Sequence, residues 1–316
     1  MATTAFPINP NLAAIAIGYR NPDVALIADM VLPRIPVTKR FTYRTYPVGD
    51  AYTLPSTRVG RKSEPTMVDF GGSDTTVECV DYALDDLVPN DEQVAWESMP
   101  KAPGAVGPME KSTSLLTGLM LLDREVRVAN SVFAAATYGS NNKTTLSGTS
   151  QWSDFTGSNP LDAILAALDV PIFRPNLAVF GQATWTKLRQ HPRIVQAVFG
   201  TAQTGGVVTR DQLAAVLEVQ RVVVGAGWVN TARRGQTPTV SRVWGKHAAF
   251  LYVSEEAASA DQPTFGFTGQ WGTRIAGNIP APRNGLRGGE IVRVGESVRE
   301  VISAADSGYF FENAVA

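Results

Sequence analysis

The chain has 316 residues, 44% of them hydrophobic, and a formal net charge of −1 from 28 basic and 29 acidic side chains. That length supports one large or two modest domains with a sizeable core, and the apolar share excludes wholesale disorder. Near-neutrality gives no broad electrostatic reason to coat DNA or an acidic membrane, so a nucleic-acid partner is expected to be enclosed rather than neutralised. The single Cys79 excludes an intrachain disulfide and reads as a small, half-buried residue. Leu12 to Tyr19 is apolar but short and follows no basic residue, so no signal peptide is expected. No run reaches the ~18 apolar residues of a membrane span. Asn142-Lys143-Thr144 matches a glycosylation sequon, which carries little weight without a secretory signal.

Leu12 to Tyr19 reads as a short helix. Asn21-Pro22 opens a second one, with Asn as N-cap and Pro at the first helical position. Val24, Ile27, Ala28 and Val31 then form one apolar stripe, and Pro33 ends it. Neither segment has apolar neighbours enough for its own core, so residues 1–39 read as an arm laid on something else. Residues 40–82 read as a long β-hairpin. Phe41 to Tyr46 and Thr66 to Val80, which carries Val68, Phe70 and Val77, are strand-like. Gly49, Asp50, Pro55, Ser56, Gly60 and Pro65 supply turn chemistry between them. Two arms of about 15 residues reach roughly 50 Å at ~3.3 Å per residue. An isolated ribbon of two strands is barely stable in water, so it is expected to rest on a neighbour. Its polar tip carries Arg58, Arg61 and Lys62.

Residues 83–158 follow as a unit built on the longest helix. The acidic run Asp81, Asp85, Asp86, Asp91, Glu92 reads as a solvated or inter-subunit face. Beyond the connector Pro100 to Pro108, a helix is expected over about Met109 to Tyr138. Leu115, Leu119, Leu122, Val126, Ala129 and Phe133 repeat at 4-3-4-3-4 as its buried seam. At 1.5 Å per residue it runs about 45 Å, the spine of an elongated domain. Gly139 to Gly157 reads as a surface loop. Residues 159–262 form a compact α/β region. A helix starts at Asn159-Pro160, a strand spans Leu177 to Phe180, and a helix over Gln182 to Gln190 is closed by His191-Pro192. Thr209 and Gln212 form a capping box, and strands follow at Val219 to Val224 and Ser241 to Val253. Residues 263–316 read as return strands to the spine unit, with Thr264 to Phe267 and Glu290 to Ser303, the latter one bent strand or a hairpin at Gly295-Glu296-Ser297.

Chemistry-bearing constellations are scarce. Val222 to Asn230 imitates a dinucleotide fingerprint through Gly225 and Gly227, but lacks the third glycine and a following helix, so it reads as a strand ending in a turn. With one cysteine and two histidines, His191 and His247, no zinc cluster exists. The acidic run lacks the calcium-loop pattern. His191 reads as a helix-end residue near a C-terminal dipole. Neither a nucleophile elbow nor a phosphate-binding loop is present, and Cys79 has no catalytic flanking signature. No catalytic site, cofactor or metal is expected. Arg233, Arg234, Arg283 and Arg287 lie in Gly/Pro-rich loops, where salt bridges between subunits are as well supported as DNA contact.

The order of arm, basic-tipped hairpin, long helix, α/β lobe and returning strands resembles the major capsid proteins of tailed bacteriophages, the Hong Kong 97-type α+β fold. Ile27 to Pro33, Tyr43 to Asp50, Thr57 to Arg61, Tyr82-x-Leu-Asp-Asp-x-Val-Pro-Asn90 and Val298 to Tyr309 carry the resemblance. It implies a shell of hexamers and pentamers around double-stranded DNA, with residues 159–262 as the axial domain and 83–158 as the peripheral one. It makes the hairpin an inter-subunit loop, with Tyr43, Tyr46, Tyr52, Arg58, Arg61 and Lys62 as contact residues. The partners implied are further copies, a separate scaffold protein, a portal, decorating proteins as an optional addition, and DNA touched non-specifically, with no membrane. The expected location is the virion, after synthesis in the host cytoplasm. The arm begins almost at Met1, which leaves no room for a cleaved scaffolding domain. An encapsulin-like compartment shell is the alternative.

Overall fold

The computed structural model describes residues 8–18, 26–45, 54–67, 73–101, 105–200, 205–233, 235–254 and 264–316. Asn21, Pro22, Val24, Tyr46, Gly49, Asp50, Tyr52, Val68, Phe70 and Arg234 lie outside these residues.

The arm supplies helix α1 (Pro10–Gly18), the single turn α2 (Ala28–Val31) and strand β1 (Arg34–Pro36). Leu12 and Ala16 are buried against Val88, Leu116 and Val294, and Val31 and Leu32 are fully buried beside Val128 and Val132. The arm is therefore part of the subunit's own core. Strands β2 (Arg40–Thr45) and β3 (Ser73–Glu78) make the ribbon, paired from Arg40↔Glu78 to Thr45↔Ser73. Each is six residues, shorter than the arms of about 15 expected from alternation. The chain leaves the ribbon at Cys79 and enters β4 (Val80–Pro89), which belongs to a different sheet. The hairpin therefore ends before residue 82.

Helix α3 (Asn90–Ser98) leads to the long helix α4 (Pro108–Val132). This helix has 25 residues, stops six short of the expected end, and is followed by a 3-10 turn at Ala135–Thr137. The Tyr138 hydroxyl donates to Val132 O at 2.8 Å, satisfying a terminal carbonyl. The first half of the buried face is one residue out of phase with the expected seam, whereas Ala129 of that seam is buried and Phe133 packs against the same cluster. Leu116, Met120, Val128 and Val132 face the core, whereas Leu115 and Leu119 are 59% and 56% exposed and Leu122 is half-buried. Two apolar rows are present, and polar chemistry decides between them. Thr113 and Thr117 donate back to Met109 O and Thr113 O, and Ser112 donates to Asp86 at 2.6 Å. Satisfied hydroxyls can be buried, so the row containing them packs on the sheet.

Strand β5 (Lys143–Thr145), helix α5 (Pro160–Leu168), strand β6 (Leu177–Gly181), helices α6 (Gln182–Leu188), α7 (Pro192–Phe199) and α8 (Arg210–Leu217), and strand β7 (Arg221–Gly225) follow. Helix α6 ends at Leu188, just before His191-Pro192, with His191 N donating to Leu188 O at 3.1 Å; His191 is also the N-cap of α7. Thr209 and Gln212 form the expected capping box. Ser241 to Val253 is not one strand: β8 (Trp228–Asn230) pairs with β9 (Val240–Arg242), and a turn at Trp244-Gly245 precedes β10 (Ala248–Leu251).

The return strands are long. β11 (Gly266–Ala281) runs 16 residues and pairs with β12 (Gly289–Ile302) from end to end. β12 is one continuous strand, with Gly295, Glu296 and Ser297 paired to Ala83, Tyr82 and Asp81. Gly272, at φ +71, lies in the register shift of β11 between Trp271 and Ile275, a bulge that favours glycine. The four-stranded sheet has the order β1-β11-β12-β4. The last strand, β13 (Gly308–Glu312), departs from expectation. It lies between β5 and β10 in the five-stranded sheet of order β5-β13-β10-β6-β7, so the C-terminal segment completes the α/β lobe. One face of that sheet is covered by α5 to α8, the other by α2 and the end of α4.

Candidate assembly surface and its buried joint

Arg58, Arg61 and Lys62 are all exposed, in a stretch with no regular secondary structure. Described contacts within it are local: Ser63 donates to Gly60 O, and the Thr66 hydroxyl donates to Ser56 O at 3.1 Å. Leu54 and Met67 are 93% and 98% exposed. Tyr43 is half-buried, edge-on to Phe267 of its own subunit at 6.2 Å.

The acidic run is largely engaged inside the subunit. Asp85 takes a two-pronged contact from Arg293 at 2.7 and 2.6 Å, Asp81 accepts from Ser297, Asp86 from Ser112, and Asp91 from Arg287. Strand pairing of β4 with β12 places Asp85 opposite Arg293 and Asp81 opposite Ser297, which spacing alone did not reveal. Helix α3 next to it has no buried residue; Val94 and Met99 are 62% and 61% exposed beside Glu92 and Glu97. The exposed row of α4, Leu115 and Leu119, adds apolar surface.

Beneath these surfaces lies a buried charged cluster that sequence reading missed. Arg124 and Glu125 are adjacent on α4, 1% and 0% exposed. Glu125 accepts from Ile27 N at 2.9 Å, Ala28 N at 2.8 Å and Trp244 Nε1 at 2.5 Å. Burial pushes its carboxyl above the ordinary glutamate value, against the pull of those three donors. Arg124 donates to Asp29, Leu32 O and Thr268 Oγ1. Arg34 bridges Asp29 and Glu296, and Arg274 joins Glu296 to Ala16 O. Every segment reached here is distant in sequence, so no local motif announces the cluster.

Catalytic look-alikes dissolve on geometry. Ser158 Oγ lies 3.0 Å from His191 Nε2 with Asp154 close by. His191 Nδ1 accepts from Arg193 N, so the neutral ring carries its proton on Nε2 and donates to Ser158, which itself donates to Asp154 O. The ring cannot act as base toward that serine, and burial lowers its affinity for a second proton. Cys79 is enclosed by Ile35, Phe41, Phe267 and Val301, with its thiol toward Gly269 O at 3.8 Å. Gly225 is the last residue of β7, where a Cβ would meet the Trp244 ring at 2.0 Å, and the chain continues into β8 instead of a helix. Among the described residues, no group of three metal-ligating side chains exists and no helix is long and apolar enough to cross a membrane.

No protein-family model matches the chain. Over its whole length it is 48% identical to the major capsid protein of Pseudomonas phage JBD67, covering 100% of both chains. The chain belongs to the major capsid proteins of tailed phages. A second capsid relative, from Burkholderia phage BcepMu, is 25% identical over 96% of this chain and 95% of its own. A phage-related protein from Bordetella bronchiseptica RB50 superposes with a TM-score of 0.72 at 25% identity, covering 98% of each chain. The capsid of cyanophage P-SCSP1u shares the fold, with a TM-score of 0.59 at 10% identity over 99% of this chain and 92% of that one. The capsid protein therefore has the Hong Kong 97-type α+β fold, builds the phage head shell from copies of itself, and is not an enzyme.

Proposed function

We propose that the capsid protein tiles the head as hexamers and pentamers around double-stranded DNA, and that the tip at residues 54–67 crosses onto a neighbouring copy. The observation that carries this reading is an exposed stretch with three cations, tied to its own subunit by a ribbon of six residue pairs. The base of the ribbon packs on its own subunit through Phe41 and Tyr43 against Phe267, but the described contacts of the tip are only local, so a neighbouring copy is the surface on which we place the tip. Because Asp81, Asp85, Asp86 and Asp91 are engaged internally, the acceptor we favour is α3, where Glu92 and Glu97 stand beside exposed Val94 and Met99. Each rim ion pair contributes under ~1 kcal/mol, but repetition around a shell makes the sum large. The near-neutral chain suits a container that touches DNA non-specifically. A separate scaffold protein, a portal and decorating proteins complete the proposed partners.

The triple variant Arg58→Glu, Arg61→Glu, Lys62→Glu tests the tip. It is expected to fold as the parent does by circular dichroism but to form few shells by electron microscopy, with the defect worse at low salt. Parent-like shells at low salt would remove the tip from the contact.

A further inference from the structure

Glu125 is the only side chain among the described contacts that holds both the arm and the turn before β10. Ile27 N and Ala28 N belong to the arm, which continues through β1 into the four-stranded sheet. Trp244 lies in the turn before β10 and packs on the five-stranded sheet: its ring lies against the end of β7 at Gly225, and its carbonyl crowds the end of β6 at Gly181. Phe133, one residue past α4, meets the same ring edge-on at 4.9 Å. Next to Glu125, Arg124 reaches Thr268 on β11. Two successive residues of one helix thus hold both sheets and the arm together, at a point where neither sheet pairs with the other.

We infer that Glu125 is a positioning residue for assembly: its contacts with the arm and with Trp244 set the angle between the two sheets, and so the curvature of the shell. Hydrogen bonds are directional over a few tenths of an ångström, whereas the apolar packing around them tolerates sliding. A carboxylate clamped by three donors fixes one arrangement where packing alone permits several. Curvature in a closed shell depends on subunit shape, so a small change of this angle is multiplied over every copy. The inference rests on the shell-building role of the chain.

Two variants test it. Glu125→Gln keeps the shape but turns an amide nitrogen toward a donor; Trp244→Phe keeps an aromatic ring but removes the indole N–H together with part of a fully buried bicyclic ring, so it also opens a cavity. Hydrogen exchange on the soluble subunit is expected to show the Ile27 and Ala28 amides exchanging about tenfold faster or more in Glu125→Gln, with β10 and β13 amides unchanged. If Glu125→Gln does not fold, Trp244→Phe carries the test. Electron microscopy of particles assembled from Trp244→Phe is expected to show a shifted or broadened diameter distribution, whereas Leu116→Ala, destabilised by a cavity in a different apolar cluster, keeps the parent's diameters. A merely structural role would lower stability and yield and leave the diameter alone. Parent-like exchange at Ile27 and Ala28, or parent-like diameters in Trp244→Phe, would overturn the inference. Failure of the parent itself to assemble would instead refute the shell-building role, and the exchange result would still judge the clamp.

Discussion

Arg34 on β1 places Nη1 2.9 Å from Glu296 Oε2 on β12, two strands away across the sheet, over the intervening β11. Burial acts to raise the Glu296 carboxyl, but Arg34 and Arg274 outweigh it and hold the group below the ordinary glutamate value. A carboxyl held lower in the folded chain than in the unfolded one adds stability above its unfolded value, lost as pH falls through its folded value. Glu296→Ala is expected to cost about 3–5 kcal/mol, because two arginines lose their buried partner. Denaturant titrations should show the parent losing stability more steeply than Glu296→Gln as pH falls below the ordinary glutamate value. Glu125 acts in the opposite sense. Its raised carboxyl keeps a proton in the folded chain that the unfolded chain has lost, so its contribution declines as pH rises above its unfolded value toward its folded one.

The phase of α4 is checked by paired truncations. Leu116→Ala is expected to cost about 2–5 kcal/mol through lost transfer energy and a cavity. Leu122→Ala, half-buried in the other row, should cost clearly less. Equal losses in chemical denaturation would put the helix in the phase first read from its spacing.

Leu115→Ser with Leu119→Ser probes the exposed row. Subunit stability should change by less than about 1 kcal/mol, the usual range for surface positions. Particle yield in electron micrographs should fall, because these apolar groups are available only to contacts outside the subunit.

Removal of residues 305–316 should prevent folding of the α/β lobe. That cut takes away β13, and with it Phe310 and Phe311, which are 0% and 2% exposed. A truncated chain resistant to limited proteolysis would show that the sheet closes without its second strand.

Elements with local signals were legible in the sequence: the capping box at Thr209, the Pro-started helices at Pro108 and Pro160, and the apolar run of β6. The length of β11 was not: only Thr264 to Phe267 reads as strand-like, and Gly269, Gly272, Gly277 and Pro280 interrupt any apolar alternation beyond it although the strand tolerates them. β13 was missed because a short strand close to a terminus has no partner nearby in sequence; its neighbours are β5 and β10. The α4 seam was displaced because periodicity counts apolar residues and ignores Thr113, Thr117, Arg124 and Glu125, whose hydrogen bonds allow them to be buried. The basic tip was legible as an exposed cationic stretch, while the internal partners of the acidic run depended on the β4–β12 register. The clamp at Glu125 joins residues 97 or more positions apart, beyond the reach of any spacing rule.

Electron microscopy of the purified full chain, with light scattering on the same sample at high concentration and across salts and pH, tests the central claim most directly. The account predicts assemblies of many copies, as rings of five or six or as closed shells, with uniform heads requiring a separate scaffold. A monodisperse monomer under all of those conditions would contradict it.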